Sequence, residues 1–331
     1  MKELRVLHIG LGAIGLEVAK LVSKKSGLRT VGASDLVKYV GEDFGEVLGV
    51  GKTGVKVSSD YRRVLKEVKP DLVLHATSSY LQDVYEQIVD CVKAGANVIS
   101  TCEELSYPYR KHPSLAKNLD HLAKEYRVRV LGTGVNPGFL MDTLVLLLTA
   151  VCQEVYSIVV ERVIDASHRR EAFQRKIGAA LTEAEFKGKM AAKEISGHVG
   201  LEESIALIGD AMGWVVERIE AEQPEPIIAS KEVSSPYYTI SAGRVAGLQQ
   251  TARGFVDGKE RITLVFKAYV GAEDEYDRIH ILGNPEVHQT IKPAIQGDRA
   301  TAAVVVNSIW PLMKCRPGLR TMKDLQTLSF R

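Results

Sequence analysis

The residues with the plainest chemical meaning stand near the start of the chain, where Gly10-Leu11-Gly12-Ala13-Ile14-Gly15 follows a short apolar run and opens an amphipathic one. A GxGxxG turn between a strand and a helix receives the pyrophosphate of a dinucleotide. Gly10 permits the tight turn, Gly12 lets the backbone approach the phosphates, and Gly15 lets helix and strand pack closely. Ala13 and Ile14 begin the helix, whose N–H groups and dipole attract negative charge. Asp35 lies 20 residues past Gly15, beside Ser34 at the end of the next strand pattern. There it is placed to accept hydrogen bonds from the adenosine ribose, which favours NAD because a carboxylate repels a 2′-phosphate. Lys38 could offset that repulsion, so NADP stays open, and Asp35 could equally be a plain strand cap.

Three further segments fall at the carboxyl edge of the expected sheet, where ligands of open α/β sheets bind. Ala76-Thr77-Ser78-Ser79 brings small polar groups that serve either the cofactor or the N-terminus of the following helix. Thr101-Cys102-Glu103-Glu104 puts two adjacent carboxylates where the nicotinamide end should lie, although each alone could be a first-turn helix acid. Gly132-Thr133-Gly134-Val135-Asn136-Pro137-Gly138-Phe139 is a hinge-like turn, with Asn136, Pro137 and Phe139 expected to line the pocket. Asp142 follows, able to meet a substrate ammonium or to sit in a first helical turn. Cys102 invites an acyl-enzyme reading, but no histidine signature accompanies it and a lone cysteine is more often a small buried residue.

These residues require a doubly wound scaffold. Short β-branched runs alternate with amphipathic stretches over the first 135 residues, predicting strands at 5–10, 30–34, 54–57, 72–76, 97–101 and 127–132 and helices at 13–24, 61–68, 83–93 and 114–126. The fold class is therefore α/β: a Rossmann parallel sheet over 1–138. An α+β substrate and dimerisation domain with a mostly antiparallel sheet is expected over 139–297. It would hold a long helix from Phe139, a strand near 156–163, a loop-rich middle, a polar connection over 220–236, and strands near 238–255, 260–269 and 277–282. A helix over 298–313, within a final segment 298–331, would return to the first domain.

Composition narrows the function classes. The chain has 331 residues, 43 basic and 41 acidic, with a net charge of +2 and no like-charge block, so nucleic acid is not an expected partner. Four scattered cysteines form no metal or disulfide pattern; no metal and a cytoplasmic location are expected. The apolar stretch 135–152 is too interrupted to span a membrane, and the N-terminus runs directly into a strand pattern without a signal peptide. A small soluble substrate and a homodimer are the default expectation.

Together the segments CEELSYP, GTGVNPGFLMD, RKIGAALTEAEFKGKM, GHVGLEESIALIGDAMGW and GDRATAAVVVNSIWP resemble the 2,4-diaminopentanoate dehydrogenases and the native amine dehydrogenases grouped with them. The first half resembles the N-terminal domain of dihydrodipicolinate reductases. The resemblance implies NAD(P)-dependent oxidative deamination of the C4 amine of 2,4-diaminopentanoate to 2-amino-4-oxopentanoate and ammonia, or reductive amination of a ketone. It also implies a catalytic glutamate in the EE segment; Glu104 is the favoured member, with Glu103 structural. Hydride loss from a C–N carbon leaves a cationic iminium, which a carboxylate stabilises while taking a proton from the attacking water. The dihydrodipicolinate reductases carry a His-His pair followed by Lys, whereas Asp165-Ala166-Ser167-His168-Arg169-Arg170 has one histidine. That departure counts against their cyclic substrate; His168 could contact substrate or lie at the surface. A reductase acting on another small substrate and a non-catalytic dinucleotide-binding regulator are the competing readings, the latter without a basic patch or partner helix to support it. Tyr107 and Lys111 have the YxxxK spacing of short-chain dehydrogenases, but Pro108 biases Tyr107 out of the helical region.

Overall fold

The computed structural model describes residues 3–330. By internal contacts the chain divides into two units, one comprising residues up to Phe139 together with those from Gln296 onward, the other Leu140–Ile295.

The first unit begins with β1 (Leu4–Ile9), α1 (Ala13–Val22), β2 (Leu28–Ser34), α2 (Phe44–Leu48) and β3 (Val57–Ser58). It continues with α3 (Tyr61–Val68), β4 (Leu72–His75), α4 (Leu81–Lys93), β5 (Asn97–Ser100), α5 (Pro113–Glu125) and β6 (Arg129–Gly132). Local rules explain much of this. Asp60 caps α3 by accepting from the Arg63 N–H, and Pro113 opens α5 at a position where its missing N–H costs nothing. The predicted strand 54–57 shrinks to two residues, because Gly51 and Gly54 take left-handed conformations that carry the chain through a turn.

The second unit holds α6 (Thr143–Thr149), β7 (Glu154–Asp165), α7 (Glu171–Lys176), α8 (Glu183–Ala191), α9 (Leu201–Ala211), β8 (Arg218–Ala221), β9 (Glu225–Ile228), β10 (Val233–Ser234) and β11 (Thr239–Ile240). The long strands β12 (Val245–Val256), β13 (Lys259–Tyr269), β14 (Tyr276–Asn284) and β15 (Val287–Ile291) complete it. Its main sheet runs β15-β14-β7-β13-β12-β8, with β9 also pairing β12. The sheet is antiparallel throughout except between β7 and β13. The buried guanidinium of Arg162 donates to Asp277 and to the Ile295 carbonyl, and Asp277 in turn accepts from the Ile295 N–H, so an otherwise costly internal charge has a carboxylate and a carbonyl as partners.

Several expectations for this unit fail for identifiable reasons. The long helix expected from Phe139 is a seven-residue helix that starts only at Thr143, because residues 139–142 form a turn and Asp142, at φ −147° and ψ −76°, is not helical. The loop-rich middle contains three helices: α8 is closed by a Thr182/Glu185 capping box, and α9 is buried along most of its length. The polar connection 220–236 supplies β8 and β9, edge strands in which Pro226 is tolerated. The strand predicted near 238–255 divides into β11 and β12 around the turn at Gly243.

The chain then re-enters the first unit as α10 (Gly297–Asn307), α11 (Ile309–Lys314) and β16 (Gly318–Arg320). The single helix expected over 298–313 breaks at Ser308, because Pro311 has no N–H for the Asn307 carbonyl. α10 packs on α1, and β16 pairs in parallel with β6 as a seventh strand. The completed sheet is wholly parallel in the order β16-β6-β5-β4-β1-β2-β3. Strand order reverses between β1 and β4, which opens a crevice at their carboxyl ends. Among the described residues no helix is long and apolar enough to cross a membrane, and the four cysteines are free thiols.

Candidate functional site

The glycine turn sits at that crevice. Gly10 has φ +88°, and a Cβ there would lie 2.3 Å from the Ala76 carbonyl oxygen. A Cβ on Gly15 would stand 1.9 Å from the Gly10 carbonyl oxygen, so helix and turn close on each other only without side chains. Gly12 differs: its backbone is extended, and a Cβ would meet nothing within 4 Å. The space over Gly12 and the first-turn N–H groups of Ala13 and Ile14 form the open cradle a pyrophosphate needs.

Asp35 closes the ribose end. Its Oδ2 accepts from the Leu11 N–H at 2.7 Å, and Oδ1 accepts from Val37 and Lys38 at 3.0 and 2.9 Å. Partial burial opposes ionisation, but these N–H groups and the Lys38 charge prevail and hold the carboxyl below its usual range. Strand cap and ribose acceptor are thus compatible roles, because an ionised carboxylate has about four lone-pair sites. Ser34 does not share the second role: it is buried and donates to the Ser58 carbonyl at 2.7 Å, tying β3 to β2.

Beyond β4, Thr77 Oγ1 lies 2.9 Å from His75 Nε2, while His75 Nδ1 lies 2.8 Å from Ser100 Oγ on β5. Burial pushes the His75 imidazole down to about 4. It is therefore a neutral strut between two strands at the cofactor edge, which sequence reasoning missed because a lone histidine in an apolar strand carries no motif. An unfolded histidine protonates near 6.5 and this one only near 4, so between those values the unfolded chain binds more protons and the histidine's contribution favours folding as pH rises. The corresponding prediction is that the His75 ring resonances stay constant from pH 8 to 5; a titration midpoint above 6 in the folded protein would remove the strut.

Thr101 donates its N–H to the His75 carbonyl, and a 3₁₀ turn at Glu103–Leu105 follows. Ser78 does not cap α4, for the N-cap is Tyr80 and Ser78 Oγ instead donates to Asp83. The cap comes from across the fold: Glu104 Oε2 accepts from the Leu81 N–H at 2.8 Å and contacts His112 Nε2 at 2.9 Å, while Oε1 pairs with Lys111 Nζ at 2.8 Å. Burial of Glu104 opposes its charge, yet Lys111, the Leu81 N–H and His112 together keep its carboxyl below the usual range. With a residue exposure of 3%, Glu104 is the anchor of the α4 N-terminus. Glu103 is the half-buried, more accessible carboxylate of the pair. Burial and partners thus set the two carboxylates apart. Lys111 and His112, read from sequence only as part of a failed YxxxK match or not at all, are part of the anchor.

Cys102 is buried, donates to the Ser79 carbonyl, and has its thiol pushed up by burial, which removes the nucleophile reading. The turn 133–138 is closed by contact: a Cβ on Gly138 would lie 2.6 Å from Gly134 backbone atoms. Pro137 is buried, while Asn136 and Phe139 are half-buried. Thr301 of α10 accepts from the Val135 N–H at 3.3 Å, so the returning helix supports this turn. In the other unit Asp142 is wholly buried as the N-cap of α6, accepting from the Thr143 N–H and the Ser204 hydroxyl. It is a cap rather than a first-turn residue. The side chain of His168 is 90% exposed, 4.0 Å from Asp165, a surface position.

A parallel sheet with this strand order, an open glycine cradle and a carboxylate pair at the fifth strand defines a Rossmann-type, dinucleotide-dependent oxidoreductase. Residues 139–329 match the model of the 2,4-diaminopentanoate dehydrogenase C-terminal domain, and residues 4–102 that of the dihydrodipicolinate reductase N-terminus. The chain is 36% identical to a 2,4-diaminopentanoate dehydrogenase of Acetoanaerobium sticklandii, over 98% of this chain and 94% of that protein. The solved amine dehydrogenase from Mycobacterium smegmatis superposes with a TM-score of 0.87 at 26% identity, covering 100% and 98% of the two chains. A dihydrodipicolinate reductase from Paenisporosarcina shares the fold, with a TM-score of 0.54 at 15% identity over 98% and 100%. The chain belongs to the 2,4-diaminopentanoate dehydrogenase family and is an NAD(P)-dependent amine dehydrogenase.

Proposed function

We propose that this enzyme oxidatively deaminates the C4 amine of 2,4-diaminopentanoate to 2-amino-4-oxopentanoate and ammonia, or runs the reverse amination of the ketone. The observation that supports the reading is the carboxylate pair on the 3₁₀ turn after β5: Glu104 buried against Leu81, Lys111 and His112, and Glu103 half-buried and more accessible. Gly10, Gly12, Ala13, Ile14 and Gly15 hold the pyrophosphate, Asp35 the ribose, and Ala76, Thr77, Thr101 and Asn136 the ring-side half of the cofactor. A bound nicotinamide supplies the hydride acceptor. The Glu103 carboxylate balances the positive charge of the substrate iminium and accepts a proton from the water that attacks its carbon. Loss of ammonia from the resulting carbinolamine leaves the ketone. Phe139 and Pro137 give the amine's alkyl portion an apolar wall.

The enzyme works as a homodimer in the cytoplasm, with NAD favoured over NADP. Replacing Asp35 by Ser removes the charge that repels a 2′-phosphate and leaves Lys38 in place. The ratio of kcat/KM for NADP to that for NAD should rise about tenfold or more, the equivalent of 1.4 kcal/mol. An unchanged ratio would place the ribose elsewhere. The reaction itself is tested by following NADH and NADPH consumption with 2-amino-4-oxopentanoate with and without ammonia. Consumption indifferent to ammonia would exclude amine chemistry.

A further inference from the structure

The β14–β15 hairpin of the second unit brings together three side chains for which the dehydrogenase reaction has no use. Its register sets His280 directly opposite His288, and Glu286 stands in the connection two residues before His288. The imidazoles stack with centroids 4.0 Å apart and planes 19° apart. Both Nε2 atoms converge on one oxygen, Oε1 of Glu286, at 2.7 and 3.0 Å. One ligand atom from each of the three residues lies within 4.8 Å of the other two. His280 pairs on its other side with Val159 of β7, whose same face carries Ser157 and Glu161.

We propose that His280, Glu286 and His288 form a binding site for a borderline divalent metal ion, Zn²⁺ foremost, with water as fourth ligand. Two imidazole nitrogens and one carboxylate oxygen suit zinc, whereas Mg²⁺ and Ca²⁺ require shells of oxygen. Zinc bonds of about 2.0–2.2 Å are reached by small rotations of these three partly or largely exposed side chains. On binding, each neutral imidazole shifts its proton from Nε2 to Nδ1 and gives the Nε2 lone pair to the metal, so the two contacts with Glu286 Oε1 give way to bonds to the cation. The ion would clamp the edge strand β15 to β14. The sequence signal is His-x₅-Glu-x-His over 280–288, which an inspection of cysteines alone passes over.

The test uses the full chain after chelator treatment and dialysis, titrated calorimetrically with Zn²⁺ and separately with Mg²⁺. One Zn²⁺ per chain with micromolar affinity and no comparable binding of Mg²⁺ is expected. Glu286→Gln and His288→Ala should each weaken zinc binding roughly tenfold or more, and the His280→Ala/His288→Ala double variant should abolish it. The melting temperature without metal should be unchanged in all three. Cys152 lies near this hairpin, its thiol donating to the Pro285 carbonyl at 3.4 Å, so Cys152→Ser should leave binding intact. Co²⁺ should give a spectrum without a thiolate charge-transfer band. Undiminished zinc affinity in the folded double variant, equal affinity for Mg²⁺, a thiolate band, or no binding at micromolar zinc would each overturn the assignment.

Discussion

Exchanging Glu103 for Gln lowers amine turnover by about 10²–10⁴-fold, the range for loss of a general base, while dinucleotide affinity and melting temperature stay at wild-type values. The amide keeps the side-chain volume but can neither balance the iminium nor take a proton from water. Glu104→Gln has a different signature. It strips the Leu81 N–H of an anionic cap and leaves Lys111 and His112 facing an amide. A loss of about 1.5–3 kcal/mol of stability follows from hydrogen bonds to a charged group, and any fall in turnover comes with a lower melting temperature. Kinetics alone would not separate the two residues; turnover measured together with cofactor affinity and thermal stability does. If Glu103→Gln stays within about threefold of wild type, a difference under 1 kcal/mol, the assignment of the reacting carboxylate is wrong. Full activity in both variants would remove the carboxylate mechanism.

Gly12→Val should weaken dinucleotide binding by about a hundredfold or more, some 2.8 kcal/mol at 1.4 kcal/mol per decade, in a protein that still folds. The lost affinity and the retained fold have separate causes. Gly12 has φ −67°, ψ −175°, which valine adopts readily, and its Cβ would enter empty space, so the scaffold has no reason to move. That same space is where the pyrophosphate must approach the backbone. Gly15→Ala is the control. Its methyl would press into the Gly10 carbonyl, so it should lower stability before any binding is measured. Isothermal titration with NAD and NADP beside a thermal melt distinguishes the cases. Wild-type affinity in Gly12→Val would show that the cofactor does not cross this turn.

What the sequence by itself determined is what short-range sterics decide. The glycine turn is legible because each glycine answers a local demand, a left-handed φ at Gly10 or close approach at Gly15, and because a strand precedes it and a helix follows. The helix Tyr61–Val68 is legible for the same reason, its Asp60 cap and apolar spacing lying within one short segment. The missed helix Glu183–Ala191 carried a readable signal as well, Thr182 and Glu185 at capping-box spacing.

Only the tertiary structure decided which carboxylate of the EE pair is buried among partners, because those partners are not all neighbours. Leu81 lies 23 residues from Glu104, on another element, and its helix N-terminus turns an ordinary surface acid into a buried cap. The seventh strand Gly318–Arg320 was equally invisible: three residues acquire strand identity only by finding the free edge of β6, nearly two hundred residues away. The same holds for His280 and His288, which face each other because the hairpin register aligns them. Local conformational preference is written within a few residues of the position it governs, whereas partners and burial are created by chain closure over long separations. That is why the glycine turn could be read from residue order, while the different surroundings of two adjacent glutamates could not.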